Sequence, residues 1–169
     1  MARSRTARSR TARQGPAAPA RYKAGLAIRR QVLGSAHVDR ALAEAKAEPF
    51  ITDVQRYITE SVWGSIWTRS GLDRRTRSML NLAVLAALNR PNQLDINLRG
   101  ALNNGVTQAE IKEVFLQVAA YCGAPAALDA YGVAHRLFKQ MEQEAGAAKT
   151  QRPTKRGGRF SRKARTPSL

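Results

Sequence analysis

Apolar residues recur at intervals of three and four through the middle of this 169-residue chain, and this spacing restricts its fold more than any other feature. The segment from Phe50 to about Trp67 carries them on one side of a helix, and shorter segments such as Ser35 to Ala47 repeat the pattern. No stretch alternates apolar and polar residues for long, as a half-buried strand does. The sequence therefore predicts an all-α fold.

Helix-end signals divide the later part of the chain. Asp73 suits an N-cap, and the run from Met79 to Leu88 that follows is apolar almost all round, so we expect it to form the central, buried helix. Thr107 and Glu110 have the spacing of a capping box, which opens the next helix. A final helix is predicted from about residue 126 to residue 144.

The net charge of +17 belongs mainly to the two ends of the chain. Residues 1–23 hold seven basic residues and residues 149–169 hold eight, with no acid in either, whereas 14 basic and 12 acidic residues lie between them. We expect a disordered basic tail at 1–21, a helical domain at 22–146 and a second disordered tail at 147–169. The tails are either solvated or bind nucleic acid or another polyanion nonspecifically through phosphate neutralisation.

Several classes of protein are excluded by what the sequence lacks. One cysteine cannot form an internal disulfide, which is typical of a reducing compartment and predicts a cytoplasmic location. No apolar run approaches the roughly 18–20 residues of a membrane span. The cysteine and two histidines do not cluster as ligands, so no metal site is expected. Neither common nucleotide-binding fingerprint is present.

Three polar residues on predicted helices are candidates for catalysis: Asn97, Glu113 and Cys122. Asn97 lies at the edge of an apolar stripe, where its amide is either half-exposed or hydrogen-bonded inside a pocket. Glu113 is either part of a solvated face or a proton carrier. Cys122 continues an apolar stripe to a helix end, so it is either a small core residue or a thiol that lines a pocket.

A second group of residues has the chemistry to bind a substrate. Arginines near a helix start can pair with carboxylates in bidentate fashion, although a run of charges is more often a solvated face. An indole either lines an apolar pocket or packs in the core. A histidine side chain gains or loses its proton near neutral pH. The candidates are Arg30, His37, Trp67, Arg74 and Arg77.

Four segments together resemble the carboxymuconolactone decarboxylase family. They are Gly25–Arg40, Trp63–Ser78, Leu98–Glu113 and Tyr121–Ala127, in the family's order and spacing, within a resemblance that covers about residues 22–140. The resemblance implies an alkylhydroperoxidase-like helical fold assembled as a homo-oligomer, either a hexamer or a trimer of dimers.

The resemblance also implies a reaction, the decarboxylation of 4-carboxymuconolactone or a related carboxy-lactone in protocatechuate breakdown, with no cofactor. The unsaturated lactone accepts the electrons left by CO2 as a dienolate. An enzyme for this reaction holds a dicarboxylate, stabilises charge on an oxygen and delivers one proton to carbon.

The chain departs from the family pattern at three positions. Gln93 and Asn97 stand where the family usually has Glu and His, and Gly132 stands where a second His is usual. An amide hydrogen-bonds an oxyanion but does not transfer a proton at neutral pH, which leaves Glu113 and Cys122 as the proton-handling candidates. The alternative function is that of a relative with lost or altered catalysis, acting as a binding or assembly protein.

Overall fold

The computed structural model of the chain describes residues 18–150, in which all regular structure is helical. This confirms the all-α prediction. The two basic tails fall largely outside the described residues. The elements are α1 (Ala18–Leu33), α2 (Ser35–Ala47), α3 (Pro49–Tyr57), a π-helical segment (Ile58–Trp63), α4 (Arg74–Ala87), α5 (Pro91–Asn103), α6 (Gln108–Cys122) and α7 (Ala124–Thr150).

The outer helices extend past the boundaries predicted for the domain. α1 begins at Ala18, so residues 18–21 are helical rather than part of a disordered tail, and α7 includes residues 147–150. The start of α1 is ordered by tertiary packing, because the Arg21 carbonyl lies against Gly64. Residues 18–134 form one compact unit, and the rest of α7 forms a second, in which Lys139 pairs with Glu142 at 3.1 Å.

The single helix predicted from Phe50 to about Trp67 is divided in two. α3 ends at Tyr57 and a π-helical segment continues to Trp63. The wider turn is visible in two backbone hydrogen bonds that span five residues, from Gly64 N to Thr59 O at 2.9 Å and from Trp67 N to Val62 O at 3.1 Å. Side-chain periodicity does not distinguish this geometry from an α-helix over so short a stretch.

Two glycines let α1 and the π-helical segment approach backbone to backbone. A Cβ atom at Gly25 would overlap the Thr59 carbonyl oxygen, and one at Gly64 would overlap the Arg21 carbonyl oxygen. Beside this contact, buried Arg29 donates from Nη1 to Thr59 Oγ1 at 3.1 Å and from Nη2 to Gln55 Oε1 at 2.8 Å. α1 is thus joined to both α3 and the π-helical segment.

The core lies between α4, α5 and α6, where the largest fully buried side chains are Leu82, Leu94, Leu98, Ile111 and Phe115. The prediction that α4 is the central, buried helix is confirmed on one side only. Leu80, Val84 and Leu88 are 52%, 52% and 59% exposed, because α5 and α6 pack against only one side of α4. No helix in residues 18–150 is both long and apolar enough to cross a bilayer.

Both predicted caps are confirmed, and they connect two helix starts. Asp73 accepts from Thr76 N at 2.6 Å, and Thr107 and Glu110 form a reciprocal capping box. Arg75 pairs with Glu110 and also donates from Nε to Gly105 O at 3.3 Å. The Thr107 backbone N–H and then Arg75 lower the pKa of Glu110 to about 2. The first turn of α4 is therefore attached to that of α6.

Substitution of either packing glycine should destabilise the fold. We expect Gly25→Ala and Gly64→Ala each to lower the free energy of unfolding by about 1–3 kcal/mol, because the added methyl group forces two backbones apart. Urea titration followed by circular dichroism measures this. Gly71→Ala is the matched control, since a Cβ there meets no atom within 4 Å. An equal effect of all three substitutions would contradict the packing argument.

Candidate functional site

Two recesses lie on either flank of the exposed side of α4. One, here the α4 cavity, has a volume of about 250 Å³ and lies between α4 and the π-helical segment with the turn after it. Its lining residues are Val62, Ile66, Trp67, Arg77, Leu80, Asn81 and Val84. The other, here the α4–α6 groove, measures about 350 Å³ and is lined by residues that include Val84, Gln117, Tyr121 and Cys122. The two recesses adjoin at Val84.

Arg77 supplies the positive charge of the α4 cavity. Its Nη2 donates to the Arg69 carbonyl at 3.3 Å, which holds the guanidinium in place. Its Nε is buried and has no hydrogen-bond partner, and no carboxylate forms an ion pair with Arg77 in the described part of the chain. The charge is therefore available to a bound carboxylate, for which a guanidinium is well shaped.

The apolar wall of the α4 cavity rests on a pair of indoles. Trp67 is buried and lines the cavity, and its ring stacks on that of Trp63 with centroids 4.8 Å apart and planes inclined by 29°. Val32 of α1 belongs to the same buried cluster. A wall of this kind reduces the number of water molecules around a bound anion, which strengthens the interaction of that anion with the neighbouring cation.

One amide lines the α4 cavity, and a second amide holds it in place. Asn81 Nδ2 donates to Asn97 Oδ1 at 2.7 Å, and Asn97 Nδ2 donates to the Gln93 carbonyl at 2.8 Å. Asn81 lines the cavity and Asn97 lies behind it. Sequence reasoning missed Asn81. The available signal was a polar residue within an apolar helical run, one turn after Arg77 and on the same face.

The other two catalytic candidates lie apart from the α4 cavity. Cys122 is exposed and lines the α4–α6 groove, so its interpretation as a buried core residue is wrong. The reason is local, because α6 ends at Cys122 and Gly123, at φ 95°, turns the chain away. Glu113 is exposed, pairs with Lys112 at 3.6 Å and lines neither recess. One chain therefore does not gather Asn97, Glu113 and Cys122 around one cavity.

The remaining substrate-binding candidates lie elsewhere. Arg30 pairs with Asp39 at 2.6 Å on the surface. His37 is in the first turn of α2, where partial burial, followed by the positive charge of Arg29, lowers its pKa. Arg74 is the first residue of α4 and lines neither recess. Only Trp67 and Arg77 of this group share the α4 cavity.

Within residues 18–150, no three His, Cys, Asp or Glu side chains come together as potential metal ligands. The side chains of the α4 cavity instead provide a cation, one hydrogen-bonding amide and an apolar wall. Such a set can bind a small organic anion and stabilise negative charge that develops on a second oxygen.

Comparison with known proteins identifies relatives over the same part of the chain. Residues 52–136 match the carboxymuconolactone decarboxylase family. The chain is 44% identical to 4-carboxymuconolactone decarboxylase of Acinetobacter baylyi over 121 residues, covering 72% of this chain and 89% of the relative. It is 41% identical to nitrosuccinic acid decarboxylase of Metarhizium robertsii over 120 residues, covering 71% and 82%. An uncharacterised 15.0 kDa protein of Paracoccus denitrificans is 30% identical over 100 residues, covering 57% and 74%.

Proposed function

The chain belongs to the carboxymuconolactone decarboxylase family, and from this premise we propose that it is a carboxy-lyase acting on a small dicarboxylate. The proposed substrate is 4-carboxymuconolactone or a related carboxy-lactone from aromatic compound breakdown. The observation that supports it best is the placement of Arg77, which forms no ion pair among residues 18–150, beside Asn81 and Trp67 in the α4 cavity. The names of the relatives support the reaction class, and the side chains of the α4 cavity support the site that we propose.

The two carboxylates of such a substrate have different requirements. The one that is retained keeps its charge throughout, and Arg77 is the group that holds it. The one that leaves as CO2 loses its charge, so a cation beside it would stabilise the ground state and slow the reaction. We therefore orient the leaving carboxylate toward the apolar wall at Trp67, where an ion is poorly solvated.

The amide pair suits the charge that forms next. As the carbon–carbon bond breaks, its electron pair passes into the unsaturated lactone and gives a dienolate. Asn81 Nδ2 uses one hydrogen for Asn97, and its second hydrogen is available to the dienolate oxygen. Asn97 then acts as a positioning residue, because it reaches the cavity only through Asn81.

A proton must finally reach carbon. Of the two proton-handling candidates, Cys122 lies in the groove that adjoins the α4 cavity, whereas Glu113 lies nearer the start of α6 and in neither recess. Cys122 is therefore our first candidate for the proton donor. Its thiol would supply the proton and recover it from water.

The proposed activity has a direct test. Purified protein should consume 4-carboxymuconolactone, followed by the loss of lactone absorbance. Arg77→Gln should lower kcat/KM by about 100-fold, the value of a lost charge-assisted pair. Arg90→Gln, a change of the same type at an exposed position, is the control. Absence of turnover by the intact protein would favour the alternative, a relative that binds or assembles without catalysis.

The roles of the two amides predict a non-additive pair of substitutions. Asn81→Ala should lower kcat by about 10²–10³-fold, as removal of an oxyanion donor does. Asn97→Ala should lower it less, and adding it to Asn81→Ala should change little more, since Asn97 acts through Asn81. Steady-state kinetics of the three variants measures this. Fully additive effects would show that Asn97 contacts the substrate itself or serves only the fold.

We also propose that the exposed side of α4 binds a second copy of the chain. Leu80, Val84 and Leu88 line this side, and Tyr121 beside it is also exposed. Single exposed apolar residues are common, but a contiguous patch marks an interface.

Light scattering should give a mass that is at least twice the 18.5 kDa of one chain, and Leu88→Glu should lower this mass. Ala43→Glu, on the exposed side of α2, is the control and should leave the mass unchanged. Equal masses for the two variants would contradict the proposal.

A further inference from the structure

A separate cavity of about 570 Å³ lies between α1, α2, α3 and the π-helical segment. It is here called the α2–α3 cavity, and it shares no lining residue with the α4 cavity. Leu42 and Ala45 give it an apolar wall, and its polar lining includes Tyr22, Lys46 and Gln55. Its volume is in the range of sites that enclose small organic molecules.

Behind this cavity lies a buried cation, Arg29, which no carboxylate neutralises in the described part of the chain. Arg29 is only 5% exposed, and its two hydrogen bonds go to the neutral side chains of Gln55 and Thr59. Its Nε is also buried and has no partner within residues 18–150. Burial of a charge without a counter-ion is unfavourable for folding, so Arg29 is not explained by stability alone.

Arg29 determines which way the Gln55 amide points. Gln55 Oε1 accepts from Arg29 Nη2 at 2.8 Å, so the amide nitrogen at the other branch of the same planar group is directed away from Arg29. Gln55 lines the α2–α3 cavity, and its Nε2 donates to no acceptor in the described part of the chain. The cavity therefore contains an oriented donor backed by a positive charge.

The charges around the cavity favour an anion. Lys46 lies at the edge of the cavity without an ion pair among the described residues. Arg56 Nε pairs with Glu60 Oε1 at 3.2 Å. Because Arg56 and Glu60 offset each other, Lys46 at the edge and Arg29 behind the wall leave the surroundings of the cavity with a positive charge. An anion that enters the cavity is stabilised by this positive charge and accepts a hydrogen bond from the Gln55 amide.

We propose that the α2–α3 cavity is a binding site for an organic carboxylate with an apolar ring. The carboxylate accepts from the Gln55 amide and pairs with Lys46, and the ring packs on Leu42 and Ala45. This site is independent of the decarboxylase proposal, because its residues lie outside the α4 cavity and it requires no chemical step.

Calorimetric titration of the full chain with 1-naphthoate tests the proposal, with the uncharged 1-naphthamide as the matched ligand. Naphthoate should bind at least about tenfold more tightly than naphthamide, as a charge-assisted hydrogen bond implies, and added salt should weaken it. Gln55→Glu should weaken naphthoate binding by at least about tenfold, since it replaces the donor with a second anion.

The same variant guards against loss of the fold. Gln55→Glu keeps an acceptor for Arg29 and turns a neutral hydrogen bond into an ion pair, so the free energy of unfolding should not fall. Lys46→Gln, at an exposed position, should weaken naphthoate binding severalfold with unchanged stability. Lys23→Gln, on α1 outside the cavity lining, should bind as the natural chain does.

Three results would overturn the proposal. The first is equal affinity for naphthoate in the natural chain, Gln55→Glu and Lys46→Gln. The second is equal affinity for naphthoate and naphthamide. The third is loss of binding in Arg77→Gln with retention in Gln55→Glu, which would place the ligand in the α4 cavity. A failure of decarboxylase activity would leave all three readouts unaffected.

Discussion

The close contact between α1 and the π-helical segment is the constraint on which the two cavities depend. Gly25 and Gly64 leave no room for a side chain between the two backbones. The π-helical segment then lies between the two cavities and lines them with opposite sides, Glu60 in the α2–α3 cavity and Val62 in the α4 cavity. A shift of this short segment would reshape both cavities at once.

The parts of the fold that sequence predicts well depend on neighbouring residues. The Asp73 cap of α4 and the Thr107–Glu110 capping box could both be predicted, because the partners in each are only three residues apart. The π-helical segment is different, since its wide turn is stabilised by a contact with α1 that lies more than 30 residues away. The spacing of apolar residues within the segment does not indicate that distant contact, so it predicted one continuous helix.

The exposure of α4 illustrates a second limit of sequence reasoning. An apolar helix indicates that its surface will be covered, but it does not say by what. Within one chain, Leu80, Val84 and Leu88 remain uncovered, and the same residues adjoin the recesses that hold Arg77 and Cys122. Residue type identified Arg77 and Trp67 as candidates, whereas the role of Asn81 required knowing which side of α4 faces Asn97.

The stacked indoles have a practical consequence. Trp63 and Trp67 are the chain's only two tryptophans, and both sit where α1, the π-helical segment and the α4 cavity meet. The tryptophan fluorescence of the chain therefore arises from one location. This protein has a built-in optical reporter, which needs no label to register whether that junction is intact or the adjoining cavity is occupied.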